Sequence, residues 1–182
     1  MAHRPLTGVL LVGGASRRFG SPKALAAIGG ETLAERAWRL LGEACDELIA
    51  VGKAGELDLP FPVRDDGSTI RAPIAGVVAG LRAATHDVAV LLPVDCPLVT
   101  AAVLRTLGEA CRDAAVPERG PLPGAWAKSA LPVLERRLRE GRYGLMDAYD
   151  ELDVAWPELD QRLVEDADTP EELTRLLEPA HE

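Results

Sequence analysis

The chain has 182 residues, a formal net charge of -9, and only three lysines among its 20 basic residues. Such an acidic excess makes it a poor general binder of nucleic acid, because contact with phosphates requires a positive surface. No apolar run approaches the roughly 18 residues of a membrane span, and the short run before Gly13 is too brief for a signal peptide. We therefore expect neither a nucleic-acid nor a membrane partner.

The three cysteines, Cys45, Cys96 and Cys111, show no Cys-x-x-Cys spacing. Their odd number and spacing indicate neither a disulfide framework nor a zinc site, and a reducing cytoplasm is the expected location. No linker rich in Pro, Gly or Ser divides the chain, and internal repeats are absent. The length and the uniform composition predict a single domain over residues 1–182.

Strands and helices alternate in the first half of the chain. Residues 7–12 and 48–51 are short apolar runs typical of buried strands. Between them, Thr32 and Glu35 have the spacing of a capping box and predict the start of a helix. Pro73 is well placed as the first residue of a second helix running to about residue 84.

The same alternation continues in the second half. Residues 88–92 are the most apolar short run of the protein and predict another central strand. Thr100 caps a predicted helix to about residue 110. A short strand at 114–116, a helix at 129–140 and a capping box of Thr169 and Glu172 follow.

This order of elements predicts an α/β fold with a mostly parallel sheet. In such sheets, ligands bind beyond the carboxyl ends of the strands. The rule selects two loops in this chain, one after Val12 and one after Leu92.

The loop after Val12 has the composition of a phosphate-binding loop. Its glycines allow a sharp turn and a close approach of the backbone to phosphate oxygens, and its basic side chains add positive charge. The spacing of Gly20 and Lys23 is not that of a P-loop, and no G-x-G-x-x-G fingerprint is present. A glycine-rich turn with two solvated arginines, Arg17 and Arg18, is the alternative interpretation.

Asp95 follows the predicted strand at 88–92 and precedes Pro97. A carboxylate just beyond a buried strand is well placed to hold Mg²⁺, a hard cation that prefers carboxylate and phosphate oxygens. The alternative is an aspartate that only caps the turn before Pro97.

The segment from Gly13 to Lys23 reads Gly-Gly-x-Ser-x-Arg-x-Gly-x-x-Lys. Together with the strand before it, this pattern resembles the signature of the nucleotidyltransferases that activate molybdopterin, sugar phosphates or terpenoid precursors. Later landmarks resemble the molybdenum cofactor guanylyltransferases, the MobA family: Asp95 before Pro97, Pro73-Ile74-Ala75-Gly76, and Thr169-Pro170-Glu171-Glu172-Leu173. The resemblance covers nearly the whole chain.

The resemblance implies a fold and an activity. The fold would be a Rossmann-like three-layer α/β/α sandwich similar to the nucleotide-diphospho-sugar transferases. Residues 1–100 would form the nucleotide-binding half and residues 101–182 the acceptor-binding half. The enzyme would transfer GMP from GTP to the phosphate of molybdopterin and release pyrophosphate, with Mg²⁺ as cofactor. A molybdoenzyme or a cofactor chaperone is a candidate protein partner.

The resemblance also implies roles for individual residues. Lys23 and either Arg17 or Arg18 would stabilise charge on the leaving pyrophosphate, with Arg17 as the candidate catalytic residue. Asp95 would hold the magnesium ion, with Asp168 as a second candidate ligand. Asp65 best matches the family's nucleotide-binding aspartate, while Asp66 alternatively belongs to an Asp-Asp-Gly turn. The remaining predicted nucleotide-binding residues are Leu11, Val12, Gly13, Gly14, Ala15, Ser16, Arg18 and Gly52.

Some positions depart from the guanylyltransferase pattern. Asp166 and Asp168 replace two asparagines and resemble the cytidylyl branch, and Gly52 stands where the guanylyl enzymes often have asparagine. The Gly13-Gly14 pair is nevertheless typical of guanylyl members. A cytidylyltransferase for the same cofactor, a sugar-phosphate nucleotidyltransferase and a non-catalytic nucleotide-binding protein therefore stay as alternatives.

Overall fold

The computed structural model describes residues 3–13 and 19–178. Gly14, Ala15, Ser16, Arg17 and Arg18, which the sequence predicts to contact the nucleotide or its phosphates, lie outside the described residues.

A seven-stranded sheet forms the centre of the molecule, in the order β5-β4-β1-β6-β8-β7-β9. Four strands at one side run parallel, and β8 runs antiparallel to both of its neighbours. A two-stranded hairpin of β2 and β3 stands apart from this sheet. The strands are β1 Thr7–Val12, β2 Ala27–Ile28, β3 Glu31–Thr32, β4 Glu47–Gly52, β5 Val63–Asp65, β6 Val88–Pro93, β7 Ala114–Ala115, β8 Gly124–Ala127 and β9 Val154–Ala155.

Helices cover both faces of the sheet. The first face packs against α1 and α3, and the second against α2 and α4. The last helix, α5, packs in a smaller cluster with Phe19 and Leu33. The helices are α1 Leu33–Ala44, α2 Pro73–Ala83, α3 Ala101–Ala110, α4 Leu131–Arg139 and α5 Pro170–Leu177. Among the described residues, no helix combines the length and the apolar character needed to cross a membrane.

The arrangement confirms the predicted α/β class and most of the predicted elements. β1 has the predicted bounds, and both capping boxes form, with the Thr32 and Thr169 hydroxyls each accepting from the backbone three residues later. The region predicted as a helix at 129–140 begins with a 3-10 turn at Lys128–Ala130 before α4.

The main difference from the sequence prediction is β8. Its four residues, Gly124–Ala127, are all buried between β6 and β7 and carry no alternation of apolar and polar residues. Because this short run begins at Gly124 and follows Pro121 and Pro123, its sequence is typical of a loop. The sheet is therefore mixed at this end and parallel where it carries the loops after β1, β4, β5 and β6.

Those four loops all leave the same edge of the sheet. Val12 at the end of β1 lies opposite Gly52 at the end of β4, and Gly52 lies opposite Asp65 at the end of β5. Leu11 lies opposite Pro93, the last residue of β6. The parallel register thus brings four segments that are distant in sequence to one place.

We predict that Gly52→Ala destabilises the fold by about 1–3 kcal/mol, the usual cost of forcing atoms into a packed site. A Cβ at this position would lie 1.6 Å from the Val12 carbonyl oxygen, so the β1–β4 pair would have to move apart. The urea midpoint of unfolding measures the loss.

Gly42→Ala is the matched control. Gly42 is exposed in α1, and an added Cβ would meet only the Leu48 side chain, at 3.5 Å. Alanine there should stabilise the helix by roughly 0.5–1 kcal/mol. Equal urea midpoints for the two variants would contradict the close approach of β1 and β4.

Candidate active site

A cavity of ≈ 280 Å³ opens at the carboxyl edge of the parallel strands. The end of β1 contributes Leu11, Val12 and Gly13 to its wall, and Gly52 ends the neighbouring strand beside them. Gly13 has a φ of 150°, a backbone conformation that favours glycine, and Gly52 has no room for a side chain. The bare backbone at these two positions leaves space for a ligand close to the strand ends.

Lys23 lies at one end of this cavity. It is 9% exposed and begins a 3-10 turn, Lys23–Leu25. Its Nζ lies 3.2 Å from Oδ2 of Asp95 and 3.2 Å from Oδ1 of Asp168. A nearly buried ammonium is stable only with such partners, because its transfer out of water is costly. Lys23 therefore joins the loop after β1 to the loop after β6 and to the residues before α5.

Asp95, Asp166 and Asp168 form a cluster of carboxylates that can hold a metal ion. One oxygen from each lies within 4.8 Å of the others. The backbone fixes this cluster, because the Ala167 amide donates to the Asp95 carbonyl at 2.8 Å. The three oxygens suit a hard cation such as Mg²⁺ or Mn²⁺.

Burial disfavours the charged form of Asp95. It raises the pKa of this carboxyl group, while the adjacent Lys23 ammonium acts in the opposite direction. The site thus disfavours the charged form of Asp95, and a second cation beside the carboxylate would relieve this cost.

The other end of the cavity contains a second lysine. Lys53, immediately after β4, donates from Nζ to Oδ1 of Asp66 at 2.5 Å and also to the Ser68 carbonyl. Lys53 and Asp66 both line the cavity, as does Arg71 in the segment before α2. The sequence prediction missed Lys53 and Arg71, although Lys53 lies two residues beyond the predicted strand at 48–51 and is one of only three lysines.

The N-terminal end of α2 completes this wall. Ala72 and Pro73 line the cavity, and Ala72 supplies no side-chain cap for the first turn. The first helical turn carries the positive end of the helix dipole. This end of α2 therefore favours an anionic or electron-rich ligand.

Asp65 is turned away from this cavity. Its carboxylate accepts from the Gly67 amide at 2.8 Å and from the Ala54 amide at 3.2 Å, and it does not line the cavity wall. These hydrogen bonds hold the pKa of Asp65 below its ordinary value. Of the two adjacent aspartates, the structure brings Asp66 to the cavity and uses Asp65 to hold the loops after β4 and β5 together.

The two pKa shifts predict opposite effects of charge removal on stability. Because the pKa of Asp95 is raised in the folded state, proton binding at this carboxyl group stabilises the fold at low pH. This contribution is lost as the pH rises. In metal-free protein, Asp95→Asn should therefore be more stable than the wild type at pH 7. The gain should disappear as the pH falls below 3.8, the ordinary value for aspartate.

Asp65→Asn is the comparison variant. Because the pKa of Asp65 is lowered, its carboxylate stabilises the fold at pH values above 3.8, the ordinary pKa of aspartate. This stabilisation is lost in acid, as the carboxylate takes up a proton. This variant should be less stable than the wild type at pH 7 and should approach it in acid. Urea titrations in EDTA at several pH values measure both differences, and the same sign for both variants would contradict the assignment.

Comparison with known proteins agrees with this geometry. The sequence model of the MobA-like NTP transferase domain matches residues 8–155. The molybdenum cofactor guanylyltransferase of Desulfosudis oleivorans is 31% identical over 82% of this chain and 79% of its own. A probable molybdenum cofactor guanylyltransferase of Opitutus terrae is 37% identical over 75% of this chain and 73% of its own.

Solved structures share the fold. Molybdopterin-guanine dinucleotide biosynthesis protein A from Archaeoglobus fulgidus superposes with a TM-score of 0.75 at 26% identity, covering 93% of this chain and 96% of its own. The 2-C-methyl-D-erythritol 4-phosphate cytidylyltransferase of Thermus thermophilus, at 20% identity, has the same fold with a TM-score of 0.70, covering 92% of this chain and 95% of its own. From the matched domain and the relatives, this chain belongs to the MobA-like NTP transferase family.

Proposed function

We propose that this protein is a molybdenum cofactor guanylyltransferase that transfers GMP from GTP to the terminal phosphate of molybdopterin. The observation that carries the proposal is the position of Lys23. Its buried ammonium lies between Asp95 and Asp168 at one end of a cavity built on the strand ends. The family and the guanylyltransferase names of its relatives support the same activity.

The charges of the cavity suggest how GTP lies in it. The triphosphate would lie beside Lys23 and the adjacent carboxylates, which are candidate metal ligands. Phosphate oxygens accept hydrogen bonds from an ammonium group and also coordinate hard cations. Gly13 and Gly52 leave room for the nucleoside along the strand ends. Residues 14–18 would add backbone N–H groups and the cations of Arg17 and Arg18, as the family pattern implies.

The carboxylate cluster fits magnesium as the cofactor. Asp95 provides the most buried carboxylate of the three, and Asp166 and Asp168 are exposed oxygen donors beside it. A bound Mg²⁺ would neutralise phosphate charge and thereby favour attack on the α-phosphorus. Asp95 is the principal proposed ligand, and Asp168 is the second.

The proposed reaction is an in-line displacement at phosphorus. An oxygen of the molybdopterin phosphate forms a bond to the α-phosphorus of GTP, and the bond from that phosphorus to the α–β bridging oxygen breaks. Pyrophosphate leaves with the electron pair of that bond. No general base is required because the attacking phosphate is already anionic. The task of this chain is therefore to position the reactants and stabilise charge.

Lys23 has the clearest proposed role in this step. Its ammonium can stabilise the negative charge that develops on the departing pyrophosphate. Before the reaction, Asp95 and Asp168 hold the side chain in place. Arg17 is the second proposed cation for the leaving group. We assign acceptor binding to the half formed by residues 101–182, although Asp168 of that half reaches Lys23 of the other.

The cytoplasm is the proposed location, since it supplies the nucleotide substrate. A molybdoenzyme or a cofactor chaperone stays a predicted partner for delivery of the product. The aspartates at positions 166 and 168 favour one competing activity, transfer of CMP from CTP to the same acceptor. A relative named a guanylyltransferase, at 31% identity, and one named a probable guanylyltransferase, at 37% identity, favour GTP instead.

We predict that Lys23→Met and Asp95→Asn each lower the rate of GMP transfer at least a hundredfold, the usual loss when one charge-stabilising group is removed from a preorganised site. Pyrophosphate release with GTP, molybdopterin and Mg²⁺ measures the rate. Lys128→Met repeats the lysine change outside the cavity and should retain the wild-type rate.

Substrate competition separates the two activities. With molybdopterin as acceptor, the wild type should turn over GTP well and CTP poorly. A preference for CTP would refute the guanylyltransferase assignment and support the cytidylyl alternative. Full activity in EDTA would instead refute the metal role of Asp95, whatever nucleotide is used.

A further inference from the structure

The edge of the sheet at β9 carries exposed apolar side chains. Among the described residues, five large apolar side chains are exposed, and three of them, Tyr143, Met146 and Trp156, lie close to this strand in sequence. Trp156 directly follows β9 and is 55% exposed, and within the described chain no further strand lies beside β9. Large apolar groups that are clustered on an exposed surface, unlike single scattered ones, mark an interaction site.

A 3-10 helix, Met146–Glu151, brings these side chains together. Residues three apart in such a helix lie one above the other, so Met146 and Tyr149 share a face. The Tyr149 ring contacts the Trp156 ring edge to face, with 6.0 Å between the ring centroids. Ala148, on another face of the helix, is fully buried and anchors the helix to the core. Met146, Tyr149 and Trp156 therefore form one surface, which we call the apolar patch.

Acidic side chains border the apolar patch. Residues 147–160 include six acidic residues and no basic residue, which gives a local charge of -6. All six are exposed: Asp147, Asp150, Glu151, Asp153, Glu158 and Asp160. Asp147 and Asp150 share the face of the 3-10 helix next to that of Met146 and Tyr149. The patch thus combines apolar contact area with a strongly negative border.

Arginines of the chain balance only part of this negative charge. Glu151, for example, lies 2.9 Å from Arg137. Asp150 and Glu158, in contrast, form no hydrogen bond or ion pair with the part of the chain that the structure describes. Glu158 is only two residues from Trp156. These two carboxylates are therefore available to the cations of a partner.

An exposed indole beside unpaired carboxylates complements one kind of ligand. The guanidinium group of arginine pairs with carboxylates and stacks on aromatic rings, and its apolar stem packs on apolar surface. The acidic border would repel nucleic acid and anionic lipid. A second copy of the chain, related by a twofold axis, would bring the same acidic border against itself. Charge complementarity therefore favours a basic segment of another protein.

We propose that the apolar patch, with the carboxylates of Asp150 and Glu158, docks an arginine-containing segment of a partner protein. None of the patch residues lines the cavity. Because β8 runs antiparallel to both β6 and β7, and β9 runs parallel to β7, the strands β9 and β6 end at the same edge of the sheet. Three strand spacings of about 4.8 Å place Trp156 about 14 Å from the end of β6. A partner docked here lies beside the edge at which the cavity opens.

The test measures binding by the fluorescence anisotropy of a labelled peptide of alternating arginine and leucine. Two peptides of equal length separate the contributions to affinity. A peptide of arginine and serine keeps the positive charge, and a peptide of glutamate and leucine keeps the apolar character. The indole N–H signals of ¹⁵N-labelled protein locate the contact, because Trp126 is fully buried, Trp38 stacks on Phe61, and Trp156 alone of the three tryptophans is exposed.

We expect the arginine–leucine peptide to bind and to shift the Trp156 signal, and the other two peptides to bind at least about tenfold more weakly. Trp156→Ser should weaken binding at least about tenfold, because a central aromatic residue usually dominates such an interface, and Met146→Ser should weaken it less. Asp150→Asn combined with Glu158→Gln should weaken binding about threefold at low salt and less at high salt, since these carboxylates are exposed.

Matched control variants remove exposed groups elsewhere. Leu177→Ser, and Asp58→Asn combined with Glu118→Gln, should retain the wild-type affinity. Urea midpoints show which variants remain folded. If Trp156→Ser does not fold, Met146→Ser, at a residue exposed to the same extent, decides the test.

Equal affinity of Trp156→Ser and the wild type, or of the two arginine peptides for the wild type, would overturn the proposal. A dimer in sedimentation that is lost in Trp156→Ser would assign the patch to a second copy instead. Binding to phosphatidylglycerol vesicles that depends on Trp156 would assign it to a membrane. None of these measurements uses GTP or molybdopterin, so their outcome is independent of the proposed guanylyltransferase activity.

Discussion

The ion pairs of Lys23 are the interaction on which the site is built. A nearly buried ammonium holds Asp95 from the segment after β6 and Asp168 from the segment before α5, both at 3.2 Å. Loss of the ammonium would leave the Asp95 carboxylate without its compensating charge in a poorly solvated place, whereas Lys23 keeps Asp168 as a partner when Asp95 is lost. Because the three residues are distant in sequence, this pairing also fixes the C-terminal segment against the carboxyl edge of the sheet.

The same pairing explains why the site is preorganised at a cost to stability. Burial raises the pKa of Asp95, so the fold alone disfavours the charged form of this carboxyl group. Charged groups fixed in advance need not reorganise when a polyphosphate enters or when charge moves toward the leaving group. The buried charges therefore lower the folding free energy that the site contributes, but they are already in place to bind cations and phosphate.

Elements whose formation depends on neighbouring residues were predictable from the sequence, whereas elements that depend on distant segments were not. β1, α2 and both capping boxes depend on nearby residues and were predicted from the sequence. β8 was not, because its four residues become a strand only between two neighbours supplied by distant segments. Asp65 and Asp66 present the same difficulty: Asp65 ends β5 and Asp66 follows it directly, and only the tertiary arrangement decides which carboxylate reaches the cavity.

The acidic composition places a final constraint on how the protein binds an anionic substrate. A net charge of -9 repels a nucleotide at long range, but at physiological salt this repulsion is screened beyond about 8 Å. Inside that distance the local arrangement dominates, and two of the three lysines, Lys23 and Lys53, line the same cavity. Each is held by an aspartate, so neither acts as a bare charge that would attract any polyanion. An anionic substrate therefore has to bind through local contacts inside the cavity, because the net charge of the protein does not attract it.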